Sequence, residues 1–139
     1  MVVRPATGDD IDAVLGLWRA AGGAPSVTDT REHLARLLAA DPEALLVAEA
    51  DGVPVGSLVA AWDGWRASFY RLAVHPDHRR SGIAAALVAE GERRLRARGA
   101  ARATAIVLDD EVGALGFWAA AGYERQRGRS RFVRMLGPS

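Results

Sequence analysis

The stretch VHPDHRRSGIAAALVAEGERRLRARG (74–99) decides how the chain is to be folded. An apolar run ends at Pro76, a polar and doubly basic turn follows, and Gly82 opens a long segment of small and apolar residues. Ile83, Leu87 and Leu95 share one face of a helix over about 82–98, Glu90 lies four residues before Arg94, Glu92 four before Arg96, and Gly99 stops it. The first N–H groups of a helix have no intrahelical partner and carry partial positive charge, so an open N-terminus attracts anions. Here Gly82 leaves the approach clear, and Ala84, Ala85 and Ala86 keep the first turn shallow. Arg79 and Arg80 add charge, and Ser81 stands where it can cap the helix or donate its hydroxyl. The residues alone leave two readings, a plain helix start or a diphosphate site. Neither G-x-G-x-x-G nor a phosphate loop occurs, so triphosphate hydrolysis has no support.

Outward from this stretch the texture alternates. VVRPAT (2–7) is β-prone. In the following segment Ile11, Val14, Leu15 and Trp18 form an amphipathic helical stripe, opened by Asp9, Asp10 and Asp12 and stopped by Gly22 and Gly23. Residues 30–41 repeat the helical pattern with Leu34, Leu37 and Leu38. ALLVAEA (44–50), VPVGSLVAAW (53–62) and RASFYRLAV (66–74) read as an antiparallel meander, with Asp51-Gly52 as the first turn. After the long helix, 101–108 is a strand and 111–122 a helix. YERQR and RFVRML, joined around Gly128, form a last hairpin. A strand–helix–strand crossover within a hairpin-rich chain predicts a mixed sheet with helices on its faces.

With 139 residues, half of them hydrophobic and a quarter charged, the chain is expected to form a single domain, 1–139. A net charge of +1 gives no reason to expect nucleic acid or a membrane surface as partner. All 18 basic side chains are arginine, which fits biased genomic composition. There is no cysteine, so disulfides and thiolate chemistry are excluded and a cytoplasmic location is allowed. No apolar run approaches the ~18 residues of a membrane span, and no secretory leader is expected. No metal site is expected, since no His, Asp and Glu group has ligand spacing.

LAVHPDHRRSGIAAALV resembles the signature of the GNAT superfamily of N-acetyltransferases, a strand ending in V-x-P and then [QR]-x-x-G-x-[GA] opening a helix. Val74, Pro76, Arg79, Gly82 and Ala84 occupy those positions. ALGFWAAAGY (114–123) resembles the family's weaker second element, and the element order matches throughout. The resemblance implies an α/β (α+β mixed) fold: a mostly antiparallel sheet of six to seven strands with about four helices on its faces. It implies acetyl-CoA as co-substrate. Its pyrophosphate would lie on the turn formed by Arg79, Arg80, Ser81, Gly82, Ile83 and Ala84, and its pantetheine arm along the backbone of Leu72, Ala73 and Val74. An amide near Val74 would polarise the thioester carbonyl.

The chain departs from the family at the proton-handling positions. A frequent glutamate on the strand before the motif is Tyr70 here, the candidate catalytic residue. Tyrosine, with an ordinary pKa near ~10, is suited to orienting water or substrate more than to acting as a base; a pocket-lining aromatic is the alternative. The frequent tyrosine acid of the second element is Trp118, which cannot serve as an acid, and a frequent asparagine is Glu111. Other candidate bases are Asp109, Asp110, Glu49, Asp63, His33 and His75. Trp62 or Trp65 is a candidate wall of an acceptor pocket, and the RQRGRSR cluster (125–131) is a solvated turn or an attractor of acidic groups. The expected reaction moves acetyl from acetyl-CoA to a primary amine, of a small molecule first, by direct attack in a ternary complex. The alternatives are a non-catalytic acyl-CoA-binding module and acetylation of a protein N-terminus; a homodimer is compatible with the sequence.

Overall fold

The order of elements is β1 (Val2–Pro5), α1 (Ile11–Ala21), α2 (Arg31–Ala40), β2 (Leu45–Ala50), β3 (Val53–Trp62), β4 (Ala67–Val74), α3 (Ile83–Ala97), β5 (Ala103–Ala105) and α4 (Val112–Ala120). The computed structural model describes residues 1–137. It divides into two compact units, Met1–Ile106, which holds the whole sheet with α1, α2 and α3, and a second from Val107 onward, which holds α4.

The sheet runs β1-β2-β3-β4-β5. The first four strands are antiparallel neighbours and β5 joins β4 in parallel, as expected of the meander and crossover. Asp51 and Gly52 both take positive φ, 52° and 79°, in the tight turn between β2 and β3. Leu45, Leu46, Val47 and Ala48 are fully buried, because both faces of β2 are covered. Alternate side chains along β2 and β3 serve the two faces. Leu45, Val47 and Val59 pack with Ile11, Val14, Leu17, Trp18 and Leu34 from α1 and α2. On the opposite face Gly56 lies under Ile83 and Leu87 of α3, and Gly91 of α3 lies on Phe69 and Leu58. Burying Leu45, Leu46, Leu58 and Leu87 contributes about 1.5–3 kcal/mol each.

Arg4 ties the edge of the sheet to the start of α1. Its guanidinium donates to Asp10 at 2.8 and 3.0 Å and to Glu49 at 2.7 Å, and the Thr7 N–H donates to Asp10 at 2.8 Å. Hydrogen bonds from Arg4 and Thr7 hold the Asp10 carboxyl below the usual carboxylate range, against the opposing effect of its burial. On α3, Arg93 and Arg94 hold the Glu90 carboxyl down to about 2.

The expectation of six to seven strands is corrected to five among the described residues. The strand expected at 101–108 is confined to Ala103–Ala105, and the hairpin expected around Gly128 does not form. A hairpin centred on Gly128 would set Arg127 opposite Arg129 and Arg125 opposite Arg131, and like charges directly opposite destabilise a ladder. Apolar residues flank the turn, yet Phe132 is 94% exposed.

Candidate functional site

The site begins with an irregularity in β4. Its pairing with β3 keeps one register from Trp62↔Ala67 to Val59↔Tyr70, then another from Ser57↔Ala73 to Gly56↔Val74, displaced by one residue. β4 therefore carries an extra residue, a bulge at Arg71 and Leu72. Arg71 takes φ 53°, left-handed for a residue with a side chain. Neighbouring residues of an antiparallel strand turn their N–H and C=O groups to opposite edges. The His75 N–H donates to the Val55 carbonyl at 2.8 Å, so Ala73, two residues earlier, also faces β3. Leu72 and Val74 therefore face the other edge. There β5 pairs with Ala67, Ser68 and Phe69 and ends at Ala105. Beyond Phe69 the β4 edge is open among the described strands.

That open edge leads into the turn that begins at Pro76. Pro76–His78 forms a single 3-10 turn, Arg79 is extended, and Arg80 and Gly82 take φ of 62° and 81°. Gly82 is the N-cap of α3 and supplies no side-chain cap. The Ser81 hydroxyl, a candidate cap, donates to the His78 carbonyl instead and braces the turn. The first intrahelical bond is Ala86 N–H to Gly82 C=O at 3.0 Å. The N–H groups of Ile83, Ala84 and Ala85 thus point out of the helix end with no capping side chain. A Cβ built on Gly82 meets no atom within 4 Å. Backbone conformation, not crowding, requires glycine there, and the space before the helix is open. Arg79 donates to the Ala21 carbonyl at the end of α1, at 2.8 Å, and to the Val74 carbonyl at 3.4 Å. It braces strand and helix as well as contributing charge. Arg80 is exposed.

The other expected residues are placed as follows. Tyr70 is half exposed on β4, opposite Val59 and next to the bulge. Glu49 is bonded to Arg4, and Asp109 to Arg125 at 2.9 Å within the second unit. Asp63 accepts the Trp65 and Arg66 N–H groups, which hold its carboxyl below the usual range. Each of these three carboxylates is engaged by a donor. Asp110 is exposed in the second unit. The His33 Nδ1 meets the Thr30 hydroxyl at 2.7 Å, and the His75 Nδ1 accepts the Asp77 N–H at 3.2 Å. His78 stacks edge-on against His75. Glu111 is the N-cap of α4 by its backbone position, and its side chain makes no capping hydrogen bond. Trp118 is buried between Phe117 and Tyr123. Trp65, under the Arg66 guanidinium, lines an open cavity of about 490 Å³ with Ala101 and Arg102, and Trp62 does not line it.

A second cavity, of about 390 Å³, lies between α1, the segment after it and the bulge; Trp18, Arg19, Gly22, Ser26, Asp29 and Arg71 contribute to its wall. The Arg71 guanidinium lies 5.0 Å from the Trp18 ring centre and pairs with Asp29. The Trp18 Nε1–H donates to the Ser57 hydroxyl at 2.8 Å, and that hydroxyl donates to the Arg71 carbonyl at 3.0 Å. Sequence reasoning assigned Trp18 to the core, where it is, and gave Ser57, Asp29 and Arg71 no role. Period-2 and helical patterns carry no signal for a bulge or for contacts across 42 residues. Among the described residues no three His, Cys, Asp or Glu side chains are grouped to hold a metal ion, and no helix is long and apolar enough to cross a membrane.

The last parallel pair of the mixed sheet thus ends after three residues, and the end of α3 without a capping side chain follows the free part of β4. The chain belongs to the Acetyltransferase (GNAT) family, which it matches over residues 12–123. An acetyltransferase of Yersinia pestis (strain Pestoides F) is 37% identical over 126 residues, covering 91% of this chain and 89% of that one. The apo aminoglycoside 6'-N-acetyltransferase of Acinetobacter haemolyticus superposes with a TM-score of 0.79 at 20% identity, covering 98% of this chain and 99% of that one. The PaiA N-acetyltransferase of Thermoplasma acidophilum, solved in complex with coenzyme A, superposes with a TM-score of 0.80 at 16% identity, covering 92% of each chain. The protein is thus an acetyl-CoA-dependent N-acetyltransferase, and the family and co-substrate expected from the 74–99 stretch hold.

Proposed function

We propose that the chain, acting as one domain in the cytoplasm, transfers acetyl from acetyl-CoA to the primary amine of a small molecule by direct attack in a ternary complex. The observation that carries this reading is one run of backbone N–H groups that, among the described residues, no paired strand and no capping side chain meets. It passes from the open β4 edge at Leu72 and Val74 to the bare first turn of α3. Those groups fit the co-substrate in two ways. Edge amides and carbonyls accept an extended amide-bearing arm as an added strand. Helix-end amides beside Arg79 and Arg80 accept the diphosphate. The Val74 N–H is the donor nearest the thioester carbonyl and stabilises charge that develops on its oxygen.

In the transfer, the neutral amine nitrogen bonds to the acetyl carbon, the carbon–sulfur bond breaks, and the sulfur takes the electron pair and, in the end, a proton. Glu49, Asp63 and Asp109 are all engaged elsewhere, so the chain supplies orientation more than strong base catalysis. Tyr70, half exposed beside the bulge, orients the amine or the water that takes its proton. Small acceptors are favoured by the 390 Å³ cavity beside Arg71 and by the aminoglycoside acceptor named for one structural neighbour. The test is release of CoA thiol from acetyl-CoA with a panel of amino acids, polyamines, aminoglycosides and a peptide with a free N-terminus. Turnover on a small amine is expected. Turnover on the peptide alone would replace the acceptor class, and CoA binding without turnover on any amine would make the chain a binding module.

A further inference from the structure

The bulge decides which backbone groups reach the open edge. If β4 kept the register it holds at Phe69 and Tyr70, Arg71 and Ala73 would face that edge, and Leu72 would face β3. One inserted residue reverses this and presents Leu72 and Val74. The insertion is held open at some cost, because Arg71 sits at φ 53° with a full side chain, in the left-handed region that favours glycine. A closed ring of contacts opposes that cost. Ser57 is fully buried, and with Asp10 it is one of two polar or charged residues buried among those described. A serine on a buried sheet face is tolerated only when its hydroxyl is satisfied. This one accepts from Trp18 Nε1 at 2.8 Å and donates to the Arg71 carbonyl at 3.0 Å. The Arg71 side chain returns over the Trp18 ring and is fixed at its tip by Asp29. The ring therefore runs from indole to hydroxyl to bulge carbonyl, and through the Arg71 side chain back to indole.

We infer that Ser57, oriented by Trp18, is a positioning residue for acetyl transfer: it locks the β4 bulge so that the Leu72 and Val74 amides face the thioester. This rests on the acetyl-CoA placement proposed above. Ser57 itself touches neither CoA nor acceptor. Its effect is on the direction of the amides, which matters most where charge develops on the carbonyl oxygen and least for the diphosphate, which is bound at α3.

The experiment uses the full chain and acetyl-CoA labelled with 13C at the thioester carbonyl, read by isotope-edited infrared spectroscopy. In the wild type the bound carbonyl band lies below its free frequency. In Ser57→Ala the band returns most of the way to the free position and kcat falls about tenfold or more, a fraction of what loss of an oxyanion donor causes. The Kd of CoA, which lacks the carbonyl, moves by less than about threefold. Ser57→Thr, which keeps the hydroxyl, restores the band. If Ser57→Ala does not fold, Trp18→Phe is read instead, and a band displaced toward the free position is expected. An unshifted band in a folded variant overturns the inference, as does equal weakening of CoA and acetyl-CoA with the band unchanged. Failure of the wild type to bind acetyl-CoA would instead overturn the placement itself.

Discussion

At the scale of single residues, Gly82 and Tyr70 carry opposite kinds of expectation. Gly82 stands at φ 81° with open space before it. A side chain there meets no protein atom and projects into the ground assigned to the diphosphate. Gly82→Asp is expected to lower CoA affinity by on the order of 100-fold, through like charge at the helix end and lost access. The strain of the left-handed backbone costs about 1 kcal/mol, so the melting temperature changes by only a few degrees. Titration calorimetry and a thermal melt on one preparation check both. Tyr70→Phe is expected to lower kcat by about threefold or more, because the hydroxyl that orients the amine or its water is lost. A kcat identical to wild type would leave Tyr70 as a wall of the site. The backbone position of Gly82 was legible in HRRSG, because glycine at the mouth of a helix supplies a positive φ there; what the turn binds was left between two readings. Arg71 was not legible: an arginine within YRLAV looks like any strand residue, and its left-handed φ comes from a register shift that only the paired strand reveals.

At the scale of elements, the donor site depends on how closely α3 approaches the sheet. A Cβ on Gly56 would lie 2.6 Å from Ile83 Cγ2 and 3.1 Å from Leu87 Cδ1. Both side chains are buried, and Ile83 is the first residue of α3. Gly56→Ala therefore pushes the helix N-terminus off the strand, with an overpacking cost of about 1–3 kcal/mol. Urea unfolding should show the lower stability and calorimetry a weaker CoA site; wild-type values in both would mean that the approach is not tight. The sequence announced α3, the Asp51-Gly52 hairpin and the crossover, because local periodicity and turn chemistry determine them. It overstated the last hairpin. Alternation and apolar content around Gly128 suggested two strands, but the cross-strand arginine pairs that oppose them depend on register, which a one-dimensional pattern does not contain.

For the whole molecule, charge pairing predicts the acid limit of stability. Asp10 and Glu90 are both held below their ordinary pKa by arginines, Glu90 at about 2. A group whose folded pKa is depressed contributes stability that is complete above its unfolded pKa and lost as pH falls through the folded value. The urea midpoint should therefore be level above about pH 5 and fall steadily toward pH 2. Glu90→Gln should flatten part of that slope, and an unchanged slope would show that its pairing adds nothing. The family and the donor were readable from the resemblance carried by residues 72–88 and 114–123, while the physics of the turn alone left a plain helix start open. The acceptor was not readable, because the cavity proposed for it is assembled from α1, the segment after it and β4, far apart in sequence. The central claim is that acetyl-CoA lies along Leu72 and Val74 with its diphosphate on the α3 turn. The most direct measurement is backbone amide NMR of the full chain titrated with acetyl-CoA. The account predicts the largest shifts at Leu72, Val74, Gly82, Ile83, Ala84 and Ala85; largest shifts around Trp65 and Arg102, with these amides still, would contradict it.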